Sequence, residues 1–194
     1  MKKVGLFFGT FNPIHIGHLV IANHMVEFSD LEEVWFVITP QSPFKVKQSM
    51  LPDHHRYQMV QEAVGEYPKL KASTIEFDLP QPNYTVNTLV NLKEKHGDQY
   101  IFSLLMGEDN LKTFHKWKNY EVILENHHLY VYPRISGGDV PERFVGHDHI
   151  HRIDAPVMEI SSTFIRNNHK KGKNIRPLLP ESVWKYMDEM NFYR

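Results

Sequence analysis

The 194-residue chain contains no cysteine. That excludes disulfides, thiolate zinc sites and a cysteine nucleophile, and it fits a reducing compartment. Charge of neither sign is in surplus: 22 Lys plus Arg stand against 23 Asp plus Glu, a net charge of −1. A duplex-binding surface usually carries a basic excess, so nucleic acid is not an expected partner. A small anionic ligand needs only one basic pocket. No stretch approaches the ~18 uninterrupted apolar residues of a membrane-spanning helix, so no membrane partner is expected. The apolar run after Lys2 and Lys3 stops at Gly9, with Pro13 close behind. It is too short for a secretion signal and reads as a first buried strand. The expectation is a cytoplasmic protein. Internal repeats, low-complexity runs and linkers are also lacking, so residues 1–194 read as one domain.

What is present is an alternation of strand and helix. Val4–Phe8 and Val34–Thr39 are continuous apolar runs, the pattern of strands covered on both faces. Leu70–Leu79, Tyr100–Met106, His128–Tyr132 and His149–Asp154 read as further strands. Between them, Ile16–Phe28, His54–Val64, Val86–Lys95, Ser161–Lys171 and Glu181–Met190 read as helices, and Glu108–Asn126 as one or two. Asp53 is a plausible N-cap. Pro40–Asp53 and Ile135–Val145 read as irregular. This order predicts an α/β fold, a doubly wound parallel sheet with helices on both faces. In such sheets ligands bind beyond the carboxyl ends of the strands, so residues just after each strand are the ones to weigh.

After the first strand stands Gly9–Thr10–Phe11–Asn12–Pro13–Ile14–His15–Ile16–Gly17–His18. Gly9 permits a tight turn and close approach of a ligand. Gly17 removes a side chain where a helix begins, and a helix N-terminus is a ready anion site. His15 and His18, three apart, share one helical face. They could donate to one phosphate, sit as ordinary surface residues, or form part of a zinc pair. Zinc needs a third ligand and usually a spacing of four. A dinucleotide turn is excluded by the absence of G-x-G-x-x-G. Near the C-terminus, Ile160–Ser161–Ser162–Thr163–Phe164–Ile165–Arg166 opens a helix. Its Ser and Thr residues suit a cap with free amides, and Arg166, one turn in, suits a bidentate phosphate clamp or a solvated arginine.

The ten-residue string resembles the signature of the nucleotidyltransferase superfamily with the HxGH motif, and the second segment resembles its ISSTxxR motif. The resemblance implies a Rossmann-like sheet on which His15, His18 and Arg166 carry catalysis. It places ATP against Gly9, Thr10, Phe11 and Gly17, with its triphosphate held by Ile160, Ser161, Ser162 and Thr163. Within the superfamily the chain resembles the nicotinate-nucleotide adenylyltransferases over essentially its whole length. Tyr84–Thr85–Val86–Asn87–Thr88–Leu89 is similar to their YTxxTL segment, whose threonine, here Thr85, touches the pyridine substrate. Met106–Gly107–Glu108–Asp109 is similar to the G-x-D that follows a central strand, which puts Gly107 and Asp109 at the ATP ribose. Trp117 matches a tryptophan that stacks on the pyridine ring. Asn12, Lys45 and Lys118 complete the implied contacts to the mononucleotide. On the residues alone, Thr85 or Asp109 also suits a helix cap, Trp117 the core, and Lys45 an exposed loop.

The sequence departs from the family pattern in three places. Phe44 replaces the histidine of P-P-H-K while Lys45 remains. Lys118 stands where a tyrosine is frequent. Asn12 stands where Asp is frequent. The reaction implied is attack by the 5′-phosphate of nicotinic acid mononucleotide on the α-phosphorus of ATP, releasing pyrophosphate. Mg²⁺ would be carried by the ATP phosphates, and no protein residue is assigned to it. The alternation in His147–Asp148–His149–Ile150–His151 leaves open a metal site or an edge strand with solvent-facing rings. Self-association and the choice between acid and amide mononucleotides also stay open. Three other readings are weaker. Pantetheine-phosphate adenylyltransferases and cytidylyltransferases are usually shorter and lack YTxxTL and the tryptophan. A class I aminoacyl-tRNA synthetase shares His15–Ile16–Gly17–His18, but KMSKS is missing. A non-catalytic nucleotide-binding module would not need the intact histidines and Arg166.

Overall fold

Apolar side chains at alternate strand positions leave opposite faces of one sheet, and that alternation sets the layers. In the first strand, β1 (Lys2–Gly9), Phe7 enters one core while Val4 and Leu6 enter the other. In β2 (Glu33–Ile38), Val34, Phe36 and Ile38 oppose Trp35 and Val37 in the same way. The sheet is completed by β3 (Leu70–Ser73), β4 (Tyr100–Gly107), β5 (Leu129–Tyr132) and β6 (Ile150–Arg152). The structure is a computed structural model describing residues 1–43, 50–135 and 139–194.

Helices α1 (Ile16–Phe28), α2 (Asp53–Val64), α6 (Ser162–Lys170) and α7 (Glu181–Glu189) cover the Phe7 face. Helices α3 (Thr85–His96), α4 (Glu108–Thr113) and α5 (Tyr120–Asn126) cover the other. The strand order is β3-β2-β1-β4-β5-β6 and every pairing is parallel. The expected doubly wound, Rossmann-like single domain is what forms. Winding reverses between β1 and β4, whose Phe7 and Leu105 lie in register. The crevice therefore opens beyond Gly9 and Gly107, where β1 and β4 end.

Several expected boundaries shift. The strand expected over Leu70–Leu79 ends at Ser73. Beyond it the chain turns, with Phe77 N–H donating to the Thr74 carbonyl at 2.9 Å. Edge strands are often short, and here the turn carries Glu76 inward. Asp53 is the first residue of α2 rather than its cap; Pro52 precedes the helix, and the Asp53 carboxylate pairs with Arg56. The region 108–126 divides into α4, a 3-10 turn (Phe114–Lys116) and α5. The irregular stretch 135–145 contains a 3-10 turn at Glu142–Phe144 that buries Phe144.

Candidate active site

The loop leaving β1 is shaped by one aromatic ring. Phe11 is buried at a φ of +44°, a left-handed conformation uncommon for a bulky residue. Its ring packs edge-on to Phe36 at 5.4 Å and to His18 at 5.1 Å. It also lies beneath Gly9, where a Cβ would come within 2.8 Å of it. Gly9 is thus required by the ring of Phe11, and the turned loop exposes its backbone to the crevice.

At the start of α1 the two histidines stack, with ring centroids 3.7 Å apart and an interplanar angle of 25°. His15 is 4% exposed. Its N–H donates to His18 Nδ1 at 3.2 Å, which makes that nitrogen an acceptor and leaves the proton of a neutral His18 on Nε2. His15 Nδ1 is buried with no hydrogen-bond partner among the described residues. Burial, with a smaller push from the Arg134 guanidinium, lowers the His15 pKa to about 4, so the ring is neutral at pH 7. A Cβ on Gly17 would stand 3.1 Å from His15 Nδ1, so any side chain there would crowd this ring.

The late helix α6 closes on the same loop. Ser161 caps it, accepting from Phe164 N–H at 3.1 Å. Ser162 Oγ donates to the Pro13 carbonyl at 2.8 Å. Arg166 Nη1 donates to the Asn12 carbonyl at 2.7 Å, and its Nη2 to Thr163 Oγ1 at 3.3 Å. A cavity of about 550 Å³ is lined by Gly9, Thr10, Phe11, His15, Gly17, His18, Asp109, Ile160, Ser161, Ser162, Thr163 and Arg166. These are the residues expected at ATP and in catalysis, save Gly107, which is buried behind Asp109. A Cβ at Gly107 would collide with Asp109 Oδ1. Asp109 does not cap α4; it lies in the first turn, and its buried Oδ1 has no partner among the described residues.

A second cavity, about 730 Å³, shares Phe8, Gly9, Thr10 and Asn110 with the first. Thr85, Trp117 and Lys118 line it together with Glu76, Asn83 and Tyr84. Thr85 is not a cap; Tyr84 precedes α3, and Thr85 opens it facing the cavity. Trp117 is half-buried, packing edge-on to Phe114 at 5.3 Å while lining the cavity, so it serves both core and site. Lys118 Nζ lies 4.6 Å over the Tyr84 ring. Asn12 is not brought to this cavity. It lines the first, and its Oδ1 accepts from Tyr193 Oη and from Leu51 N–H at 3.3 Å. Lys45 lies outside the described residues.

Sequence reasoning missed Arg134. It stands just past the end of β5, lines the first cavity, and is held by the Met158 carbonyl at 2.5 Å. The rule of inspecting residues after each strand would have found it. Glu76 was missed because the turn that presents it read as strand. The histidines near β6 do not assemble a metal site among the described residues. His149 Nδ1 is committed to the Leu124 carbonyl at 2.6 Å, and His151 Nε2 meets His128 Nδ1 at 2.8 Å. No helix among the described residues is long and apolar enough to cross a membrane.

Residues 6–168 match the cytidylyltransferase-like family, and with this fold and rim they define the chain as a nucleotidyltransferase. Its relatives narrow the class. A protein of Christiangramia forsetii named "Probable nicotinate-nucleotide adenylyltransferase" is 65% identical over 193 residues, spanning 100% of this chain and 99% of that protein. One of Flavobacterium psychrophilum with the same name is 61% identical, spanning 99% of each. The chain belongs to the nicotinate-nucleotide adenylyltransferase family. The fold is shared with the Plasmodium falciparum nicotinic acid mononucleotide adenylyltransferase complexed with NaAD, at a TM-score of 0.80 and 20% identity. That match covers 100% of this chain and 98% of the other.

Proposed function

We propose that the enzyme transfers the adenylyl group of ATP to nicotinic acid mononucleotide, giving nicotinic acid adenine dinucleotide and pyrophosphate in NAD biosynthesis. The observation that carries this reading is the pair of cavities that meet at Gly9 and Thr10. One is rich in phosphate-binding groups and the other holds an aromatic wall. Two substrates seated there bring a phosphate of each to the shared glycine. The attacking 5′-phosphate is already an anion, so no general base is needed. Rate then comes from positioning and from charge stabilisation in a preorganised site.

In this reading His18 and His15 hold the reacting phosphates. Arg166, the start of α6 and Arg134 take the departing β- and γ-phosphates. Asp109, an acceptor with a spare buried oxygen, receives ribose hydroxyls. Thr85 and Trp117 receive the pyridine ring, and Lys45 and Lys118 supply positive charge to the mononucleotide. Asn12 orders the loop that both substrates touch. Asp109 is the single carboxylate among the described residues lining the first cavity. Such a donor set fits Mg²⁺ held by phosphate oxygens, where it neutralises charge, rather than by a protein cage. A cysteine-free chain acting on ATP suits the cytoplasm.

The test is pyrophosphate release from ATP and Mg²⁺, with nicotinic acid mononucleotide, nicotinamide mononucleotide and phosphopantetheine offered separately. The expected result is strong preference for the acid mononucleotide. ATP binding without release on any acceptor would overturn the assignment.

A further inference from the structure

Glu76 is a buried carboxyl with no part in the chemistry above. The residue is 1% exposed and lines the second cavity. Its Oε1 accepts from the Thr88 hydroxyl at 2.6 Å, deep in the first turn of α3. Its Oε2 is buried and, the nearby Thr39 hydroxyl aside, has no hydrogen-bond partner among the described residues. The surrounding turn is tied down by hydrogen bonds. Asn83 Nδ2 donates to the Glu76 carbonyl at 3.1 Å, and Asn83 N–H to the Gln41 carbonyl at 2.9 Å. Gln41 N–H returns a bond to Asn83 Oδ1 at 3.2 Å. A fixed, buried carboxyl with one unspent oxygen is costly to the fold, so a ligand that satisfies it is favoured.

We propose that Glu76 is a specificity-determining residue of the acceptor pocket, whose Oε2 carries a proton and donates it as a hydrogen bond to the carboxylate of a pyridine mononucleotide. This rests on the adenylyl transfer to nicotinic acid mononucleotide proposed above. Three considerations assign the proton. The cavity is built for a substrate with an anionic phosphate and an anionic ring substituent, beside which a second carboxylate would be repelled. Oε1 is held by the Thr88 hydroxyl at 2.6 Å, which also lies 3.4 Å from the Tyr84 carbonyl, so Oε2 is the oxygen left to offer a proton to a ligand. Burial pushes the Glu76 pKa up, with the hydroxyls of Thr88 and Thr39 pulling against it. An arriving carboxylate raises it further. A donor at this place suits an acid, which offers only acceptors. It wastes the NH₂ of an amide, which is how a site can discriminate between near-isosteres.

The test compares kcat/KM for the acid and amide mononucleotides in wild type, Glu76→Gln and Glu76→Met, with melting temperature and ATP affinity recorded for each. In Glu76→Gln the amide oxygen can take the Thr88 bond and the NH₂ then occupies the place of Oε2, so a donor remains. Glu76→Gln should stay within about fivefold of wild type on the acid. Glu76→Met, of similar length without a donor, should lose about 10- to 100-fold on the acid, the worth of a hydrogen bond to a charged group. On the amide it should change less than about threefold, so the acid-to-amide ratio collapses. Equal loss on both acceptors would make Glu76 a brace for the turn and overturn the proposal. Glu76→Gln falling as far as Glu76→Met would overturn the donor role, and this variant alone decides if the methionine fails to fold. If wild type releases pyrophosphate with neither acceptor, the function itself is wrong, an outcome distinct from a failure of Glu76.

Discussion

A neutral imidazole donates one hydrogen bond, and which nitrogen donates depends on what the other accepts. In this site the backbone decides it for His18, because His15 N–H occupies Nδ1. His18 therefore offers Nε2–H as the donor to developing phosphate charge. Replacing it with alanine removes that donor while leaving the buried Phe11 and Phe7 packing to neighbouring rings. His18→Ala should lower kcat by about 10²-fold or more with the fold intact, as loss of one preorganised oxyanion donor does. Steady-state pyrophosphate release and circular dichroism check this; unchanged kcat would sink the mechanism. His15 predicts a pH effect of definite sign. Its pKa falls from 6.5 to about 4 on folding. Between those values the unfolded chain binds a proton that the folded chain refuses, so stability rises with pH there and is lost as pH falls from 6.5 towards 4. The full shift corresponds to about 3 kcal/mol. Urea unfolding of wild type and His15→Asn across that window measures it. The variant should show a flatter slope, the other histidines being common to both. Coincident slopes would mean that His15 is not held neutral by burial.

Helix α2 contributes no lining residue to either cavity, yet it fixes both through one side chain. Arg56 is fully buried. Its guanidinium donates to the Leu51 carbonyl at 3.0 Å, the Thr10 carbonyl at 2.6 Å and the Thr39 carbonyl at 3.0 Å, and pairs with Asp53. It thereby joins the signature loop to the end of β2 and to the residues entering α2. Arg56→Met leaves three carbonyls without that donor and should cost about 3 kcal/mol or more. Asp53 is partly exposed, so Asp53→Asn should cost under about 1 kcal/mol. Denaturant unfolding of the two variants separates them, and comparable losses would contradict a buried hub at Arg56. The contrast also explains what the sequence made legible. The signature loop, the capped start of α6 and the alternation of elements follow local rules, in which turn glycines, serine caps and apolar periods sit within a few residues. Arg56 reads locally as one polar residue in an amphipathic helix; its meaning lies in partners at residues 10 and 39. Glu76 was hidden for a related reason. Leu70–Leu79 alternates as a strand does, but the sheet edge stops pairing at Ser73 and the chain turns inward. Arg134 was legible in principle, since its place after β5 is where the winding of such sheets puts ligands.

Across the whole molecule, the switch between β1 and β4 makes one crevice, and elements far apart in the chain converge on its lip. Asn12 is where they meet. Arg166 binds its carbonyl, Ser162 binds the carbonyl of Pro13, and Tyr193, next to the last residue, donates its hydroxyl to Asn12 Oδ1. Tyr193 sits at a φ of +61°, and burial pushes its phenol pKa up, so it remains a donor throughout the working pH range. The chain end thus braces the loop that carries His15 and His18. Tyr193→Phe keeps the ring and removes the hydroxyl, leaving Asn12 Oδ1 the weaker bond from Leu51 N–H. Losing that bond to a buried acceptor should cost about 1–2 kcal/mol of stability. If the brace also holds the loop for catalysis, about 1 kcal/mol of that appears in the barrier, a roughly fivefold fall in kcat. Assay well below the melting temperature distinguishes the two roles. A lowered kcat there, in a fully folded variant, establishes the C-terminus as part of the catalytic frame. A full kcat with only a lowered melting temperature confines Tyr193 to holding the fold, and the positioning of the loop then rests on Arg166, Ser162 and Arg56.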